Sequence, residues 1–245
     1  MKNGLAIETM QLEKRFGDLV AINKISLKIS HGIVFGLLGP NGAGKTTTIR
    51  ILATILVPTS GTASVNGCDV VRESRGVRES IGVLPEDVGL YDRLTGYETL
   101  RFAGLLYGLK GMDLEERISR VLKILDLDGR GKDRVGKYSR GMKQKLALAR
   151  ALIHDPPILM LDEPTLGLDV MSARTIREYI RGAAKEGRTV LLTTHNMSEA
   201  QLLCEQIAII NRGSIVATGT VEELEGLTKS KDLEEVFVNL VRDQQ

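Results

Sequence analysis

Nine consecutive residues, GPNGAGKTT at 39–47, carry the densest chemistry in the chain. They fit the phosphate-binding pattern G-x-x-x-x-G-K-[ST]. Gly39, Gly42 and Gly44 let the backbone wrap closely around an anion, with Pro40, Asn41 and Ala43 between them. The N–H groups of that loop and of the helix expected to start at Lys45 would face phosphate oxygens, with Thr46 and Thr47 in its first turn. Lys45 can reach the β- and γ-phosphates, and the Thr46 hydroxyl suits Mg²⁺. A second run, ILMLDEPT at 158–165, ends an apolar strand in two carboxylates. Asp162 is the metal-associated carboxylate expected there, and Glu163 the general base or water-positioning group for attack on a γ-phosphate. These two runs specify a nucleotide-binding machine but not its class.

Such groups work only if strands deliver them. Ile33 to Leu38 reads as a buried strand leading into the glycine-rich loop, and a helix is expected from Lys45 to about Leu56. Leu5 to Leu12 and Ile22 to Ile29 alternate loosely, with Gly17-Asp18 as a turn, and Gly61 to Asn66 suggests another short strand. From Thr95 to Leu109, Asp113 to Leu127 and about Gly141 to Ile153 the period is helical. Strand and helix then alternate: Ile158 to Leu161, Ser172 to Lys185, Thr189 to Thr194, Ser198 to Leu203 and Ile207 to Ile210. The expectation is a parallel, three-layer α/β core. An N-terminal antiparallel β subdomain precedes it, and a helical subdomain is inserted at about 87–150. The core would comprise about 1–86 and 151–225. A tail at 226–245 carries Leu233, Val236, Phe237 and Leu240 on one helical stripe, expected to pack on the domain.

Composition narrows the classes. The 245 residues include 33 Lys+Arg and 31 Asp+Glu, a net +2, so bulk charge advertises no nucleic-acid partner. Apolar content of 42% with 26 Gly and only 6 Pro excludes a disordered polymer or a Pro-rich linker. Cys68 and Cys204 are too few for a disulfide framework. No apolar run is long enough to span a membrane, and no continuous apolar segment follows the first basic residues. Any membrane role must be peripheral.

The class signal is Ser139-Arg140-Gly141-Met142-Lys143-Gln144 before the helix LALARALIHDP. With this run in place, the chain resembles the ATP-binding subunit of an ABC transporter, from about Gly4 to Thr220. The resemblance implies ATP and Mg²⁺ as ligands and a P-loop NTPase fold. It implies that Phe16 stacks on adenine, and that Ser139 and Gly141 close over the γ-phosphate held by an opposite protomer. Asp169 would lie at the protomer interface. His195, after TVLLTT, would touch the γ-phosphate and organise the attacking water. Two departures stand out. Glu86, in Val83-Leu84-Pro85-Glu86, takes a place the family often gives to Gln, so it can bind metal or water but cannot donate an amide hydrogen bond. Arg140 and Met142 replace the signature's first Gly and its Gln. The YSRGM form, the PED loop and the LEEVF tail resemble a subset serving drug, sodium, polysaccharide or lipid exporters.

The resemblance also implies partners: an integral membrane permease and a second ATP-binding subunit, at the cytoplasmic face of the membrane. The competing readings are a soluble ABC ATPase of translation or DNA maintenance, a small GTPase and a non-catalytic binding module. The first would carry paired cassettes, a long coiled-coil insertion or a basic patch. The second would need an N-K-x-D segment, which is missing. The third would bind ATP without releasing phosphate.

Overall fold

In the computed structural model, which describes residues 4–242, the N-terminal alternation becomes two long antiparallel strands. These are β1 (Leu5–Phe16) and β2 (Leu19–Ser30), both longer than the sequence pattern suggests. Gly17 turns the chain between them at φ +57°, a conformation cheap only for glycine. The other edge of β1 pairs antiparallel with β4 (Ser60–Val65), and β4 with β5 (Cys68–Asp69), completing a four-stranded sheet.

The second sheet holds six strands: β3 (Val34–Leu38), β6 (Ile81–Leu84), β7 (Ile158–Asp162), β8 (Thr189–Thr194), β9 (Gln206–Asn211) and β10 (Ser214–Gly219). Their order is β10-β9-β3-β8-β7-β6. All neighbours run parallel except the β9–β10 hairpin at one edge. The register sets Leu38 beside Thr194 and Asp162 beside Thr193. The carboxyl ends of β3, β8 and β7 therefore open side by side, where ligands bind in such sheets.

Alternation along these strands builds the layers. Phe35, Leu37, Met160, Leu191, Ala208 and Ile210 pack with the N-terminal sheet and with α1 (Lys45–Leu52). Val34, Leu38, Leu159, Leu161, Val190 and Leu192 face the opposite way. They pack with α3 (Gly96–Leu106), α4 (Gly111–Ile124), α5 (Arg140–Leu152) and α6 (Val170–Lys185). A strand buried on both faces reads as a continuous apolar run, as ILMLD does.

The helix boundaries have local causes. Thr95 opens α3 with a reciprocal cap: its hydroxyl accepts the Glu98 N–H at 3.1 Å, and Glu98 Oε2 accepts the Thr95 N–H at 2.8 Å. In α4 the buried residues are Leu114, Ile118, Val121 and Leu122, and Leu125 at its end, also buried, completes the face that the helical spacing predicts. Each such side chain contributes roughly 1.5–3 kcal/mol on burial. Helix α1 stops at Leu52 rather than Leu56, because the chain turns left-handed at Thr54 with φ +62°. Three further helices are α2 (Ser74–Ser80), α7 (Met197–Leu203) and α8 (Val221–Thr228). In α9 (Leu233–Arg242), Leu233 and Val236 are fully buried, with Phe237 and Leu240 packed beside them. Among the described residues no helix is long and apolar enough to cross a membrane.

Candidate active site

The loop from Gly39 to Gly44 joins β3 to α1, and its glycines are there for space and angle. A Cβ on Gly39 would lie 2.2 Å from the Ile210 carbonyl, and one on Gly44, at φ +108°, 2.7 Å from the Ala21 carbonyl. Thr48 N–H is the first in the helix to find a carbonyl, Gly44 O at 2.9 Å. The first-turn amides before it have no such partner and aim outward from the helix start. The loop bounds a cavity of about 310 Å³ lined by Pro40, Asn41, Gly42, Gly44, Lys45, Thr46 and Thr47, with Ala21, Glu86 and Glu163. A larger cleft, about 670 Å³, adjoins it and contains Asp162, Tyr138, Arg140 and Gln144. Thr46, Glu86 and Glu163 line both.

Lys45 is buried, and its Nζ donates to Gly39 O at 2.7 Å and Pro40 O at 3.2 Å. The same ammonium lies 3.4 Å from Glu163 Oε1. Glu163 Oε1 also meets His195 Nδ1 at 2.9 Å. A carboxylate only accepts, so Nδ1 carries the hydrogen in this pair and Nε2 is left for another partner. Lys45 at the start of α1, Glu163 just after β7 and His195 just after β8 thus form one connected cluster.

Asp162 and Glu163 are aimed differently although adjacent. Asp162 closes β7 in extended backbone, whereas Glu163 turns left-handed at φ +48°. Thr193 on β8 ties them together. Its hydroxyl donates to Asp162 Oδ1 and accepts the Glu163 N–H at 3.2 Å, and its carbonyl accepts the same N–H at 3.1 Å. Thr193 is fully buried. A second tie joins the loops: Thr165 Oγ1 donates to the buried Glu199 of α7, whose own N–H is capped by Asn196 Oδ1 at 3.0 Å. Thr193 and Glu199 carried no signal in the sequence, where they read as strand and helix residues; Thr165 closes the ILMLDEPT run but had no role there.

The other expected residues separate into two groups. Glu86 joins the cluster's cavity. Ser139, Gly141 and Asp169 lie along a second surface. Ser139 is exposed and caps α5 by accepting the Met142 N–H at 3.2 Å. Gly141 is buried against α6, where a Cβ would sit 2.1 Å from Ser172 Oγ. Asp169 caps α6, accepting from Ser172 N–H at 2.9 Å and Ser172 Oγ at 2.7 Å. The backbone bond from Ser172, then its hydroxyl, hold the Asp169 carboxyl below its ordinary range. Phe16 stands at the end of β1, 47% exposed, with Lys14 Nζ 5.1 Å from its ring centroid. It does not line the cavity, but Ala21 does, and Ala21 is two residues beyond Leu19, the cross-strand partner of Phe16.

An anion cradle of backbone amides, a lysine and hydroxyl and carboxylate donors beside a base suit a magnesium nucleotide triphosphate. The comparison with known proteins decides the class: the ABC transporter family profile matches residues 22–166, more than half the chain. The chain belongs to the ABC transporter ATP-binding family. This ABC subunit is 42% identical over 235 residues to the ABC transporter ATP-binding protein NatA of Bacillus subtilis (strain 168), covering 94% of this chain and 96% of NatA. It is 40% identical over 220 residues to the Nod factor export ATP-binding protein I of Rhizobium sp. (strain N33), covering 90% of this chain and 72% of that protein. Among solved structures it resembles the dimeric post-hydrolysis state of the ATP-binding cassette MJ0796 bound to ADP and Pi. That match has a TM-score of 0.79 and 25% identity, and covers 87% of this chain and 98% of the other. As an ABC ATPase the subunit binds Mg-ATP and hydrolyses it in the service of a transporter. Thr46, Asp162 and Glu86 are the groups here whose oxygens can hold Mg²⁺.

Proposed function

We propose that this subunit hydrolyses ATP by the Lys45–Glu163–His195 cluster, working as one half of a two-chain clamp that drives an export permease. The observation that carries the reading is that Glu163, in contact with both Lys45 and His195, shares one cleft with Thr46 and Asp162. The loop amides and Lys45 hold the β- and γ-phosphates. Magnesium bound at Thr46 and Asp162 would offset the charge that builds on the phosphate oxygens. Glu163 accepts the proton of the attacking water, and His195 orients Glu163 through Nδ1. Glu86 adds a carboxylate at the mouth of the metal side. Adenine stacks on the exposed face of Phe16.

One chain carries one signature surface and one catalytic cluster, and in this reading they serve different nucleotides. Ser139 is solvent-exposed at the start of α5, suited to the phosphate of a second copy. The dimeric, ADP-bound relative supports this arrangement. Exposed Val170 and Met171, next to Asp169, would be covered on closure. Nucleic acid has no place in this reading. The export direction rests on the Nod factor export relative, and the chain's position is peripheral, on the cytoplasmic face.

The permease would dock in a groove of about 280 Å³ lined by Ile55, Val83, Leu106, Tyr107, Arg150 and His154. Leu106 and Ile55 are exposed on its rim. Arg150 also donates to Val88 O at 2.8 Å, within the loop that carries Glu86. An occupant of the groove would therefore touch the residue that holds that loop.

The decisive variant is Glu163→Gln. Turnover should fall at least about 100-fold while MgATP binding persists, and the mass in MgATP should be that of a dimer. Normal turnover would remove Glu163 from the base role. A monomer with ATP bound would remove the clamp.

A further inference from the structure

Three contacts from the start of α5 end on the stretch that follows Glu163, between Pro164 and Ser172. Arg140 Nη2 donates to Leu166 O at 3.0 Å. Gln144 Nε2, buried, donates to Pro164 O at 3.2 Å. Gly141 packs against Ser172 and Asp169 with no room for a Cβ. Leu166 N–H in turn donates to Glu163 O at 3.2 Å. One guanidinium bond and one turn bond thus separate Arg140 from the backbone of Glu163.

Two backbone features make this link more than a surface contact. Glu163 sits at φ +48°, a conformation that a non-glycine residue keeps only when its surroundings hold it. Gly167, at φ +66°, lies so near Arg140 that a Cβ there would be 2.5 Å from Nη1 and 2.7 Å from Cζ. Gly167 leaves room beside this turn for the guanidinium. Arg140 also lines the cleft that contains Asp162 and Glu163.

We propose that Arg140, at a signature position where the family places glycine, is a positioning residue for Glu163 in its own chain. Its guanidinium fixes the 164–167 turn, and the turn fixes the left-handed backbone that aims the carboxylate. The signature surface and the base then move as one body, so an event at Ser139 reaches the chain's own Glu163. This inference rests on Glu163 being the base.

The test is steady-state ATPase of the full chain carrying Arg140→Met, which keeps the aliphatic length and removes the donors. Arg140 is exposed, so its melting temperature should match the wild type. The expected result is a fall in kcat of about tenfold, the loss of one charge-assisted bond, with KM for MgATP within about twofold. Arg140→Lys keeps one donor and should recover part of kcat. In the Glu163→Gln background, Arg140→Met should have no further effect, because it acts through Glu163. An unchanged kcat, a loss confined to KM, or a further fall in the Glu163→Gln background would each overturn the proposal. If Glu163→Gln itself keeps normal turnover, the base reading fails instead. If Glu163→Gln abolishes turnover and Arg140→Met does not lower it, only the role of Arg140 fails.

Discussion

Thr193 serves both carboxylates with a single hydroxyl. It gives its hydrogen to Asp162 Oδ1 and takes the Glu163 N–H on its lone pair, so it uses donor and acceptor capacity at once. A buried hydroxyl so occupied would orient the oxygen proposed here to bind Mg²⁺, in the way that outer partners orient metal ligands elsewhere. Thr193→Val preserves shape and strand propensity but leaves Asp162 without that donor. The Mg²⁺ concentration for half-maximal turnover should rise about tenfold. Titration of ATPase against Mg²⁺ at saturating ATP checks this, and an unshifted curve would show that Asp162 needs no such support.

Helix α3 illustrates what an element contributes beyond its own hydrogen bonds. Its inner face buries Leu100 and Ala103, while Leu106 and Phe102 remain on the outside at 73% and 57% exposure. The capping box at Thr95 fixes where the helix begins, and therefore how far its last turn projects beside Ile55. Leu106→Glu places a charge on the groove's rim without touching the core. Copurification of the membrane subunit with the full chain should drop, with ATP binding unchanged. Undiminished copurification would move the docking site elsewhere. The elements themselves differed in how openly the sequence declared them. β8 matches Thr189 to Thr194 residue for residue, because both of its faces are buried and the run is uniformly apolar or β-branched. By contrast no extended local pattern in the sequence marks α2, β6, β10 or α8. α2 buries only Val77 and Ser80 in seven residues, too few for a period to emerge, and β6 is a four-residue edge strand. β10 is the other edge, half-buried apart from the exposed Thr218, so it lacks the buried apolar run of its neighbours. The glycine-rich loop was legible because its chemistry is contiguous. The ties of Thr193 to Asp162 and of Arg140 to Leu166 join distant parts of the chain, and no local pattern marks them.

Across the whole molecule, His154 is a half-buried joint between layers. Its ring stacks on Tyr107 at a centroid distance of 3.6 Å, and Nε2–H donates to Ile81 O at 2.9 Å. Among the described residues Nδ1 has no partner, so the ring is neutral in this setting. Burial is the main cause that pushes its pKa below the ordinary 6.5, against smaller upward pulls from Ile81 and Asp155. The folded state therefore resists a proton that the unfolded chain accepts. This stability is complete above about pH 6.5 and is lost as pH falls towards the depressed folded value. His154→Phe keeps the stack and removes the titration. Between about pH 7.5 and about pH 5.5 its melting temperature should fall less than that of the wild type. Equal falls would show that other groups govern acid stability.

The strand that delivers the phosphate loop has both its neighbours in the last third of the chain. Val34 pairs with Val190, and Phe35 with Gln206. During synthesis β3 leaves the ribosome early and waits unpaired, with its five apolar or glycine residues exposed, until β8 and β9 follow. Gly39, whose tight fit is against Ile210, has no wall to press on until then. The phosphate loop therefore gains the walls that shape it only once the last third of the chain has been made.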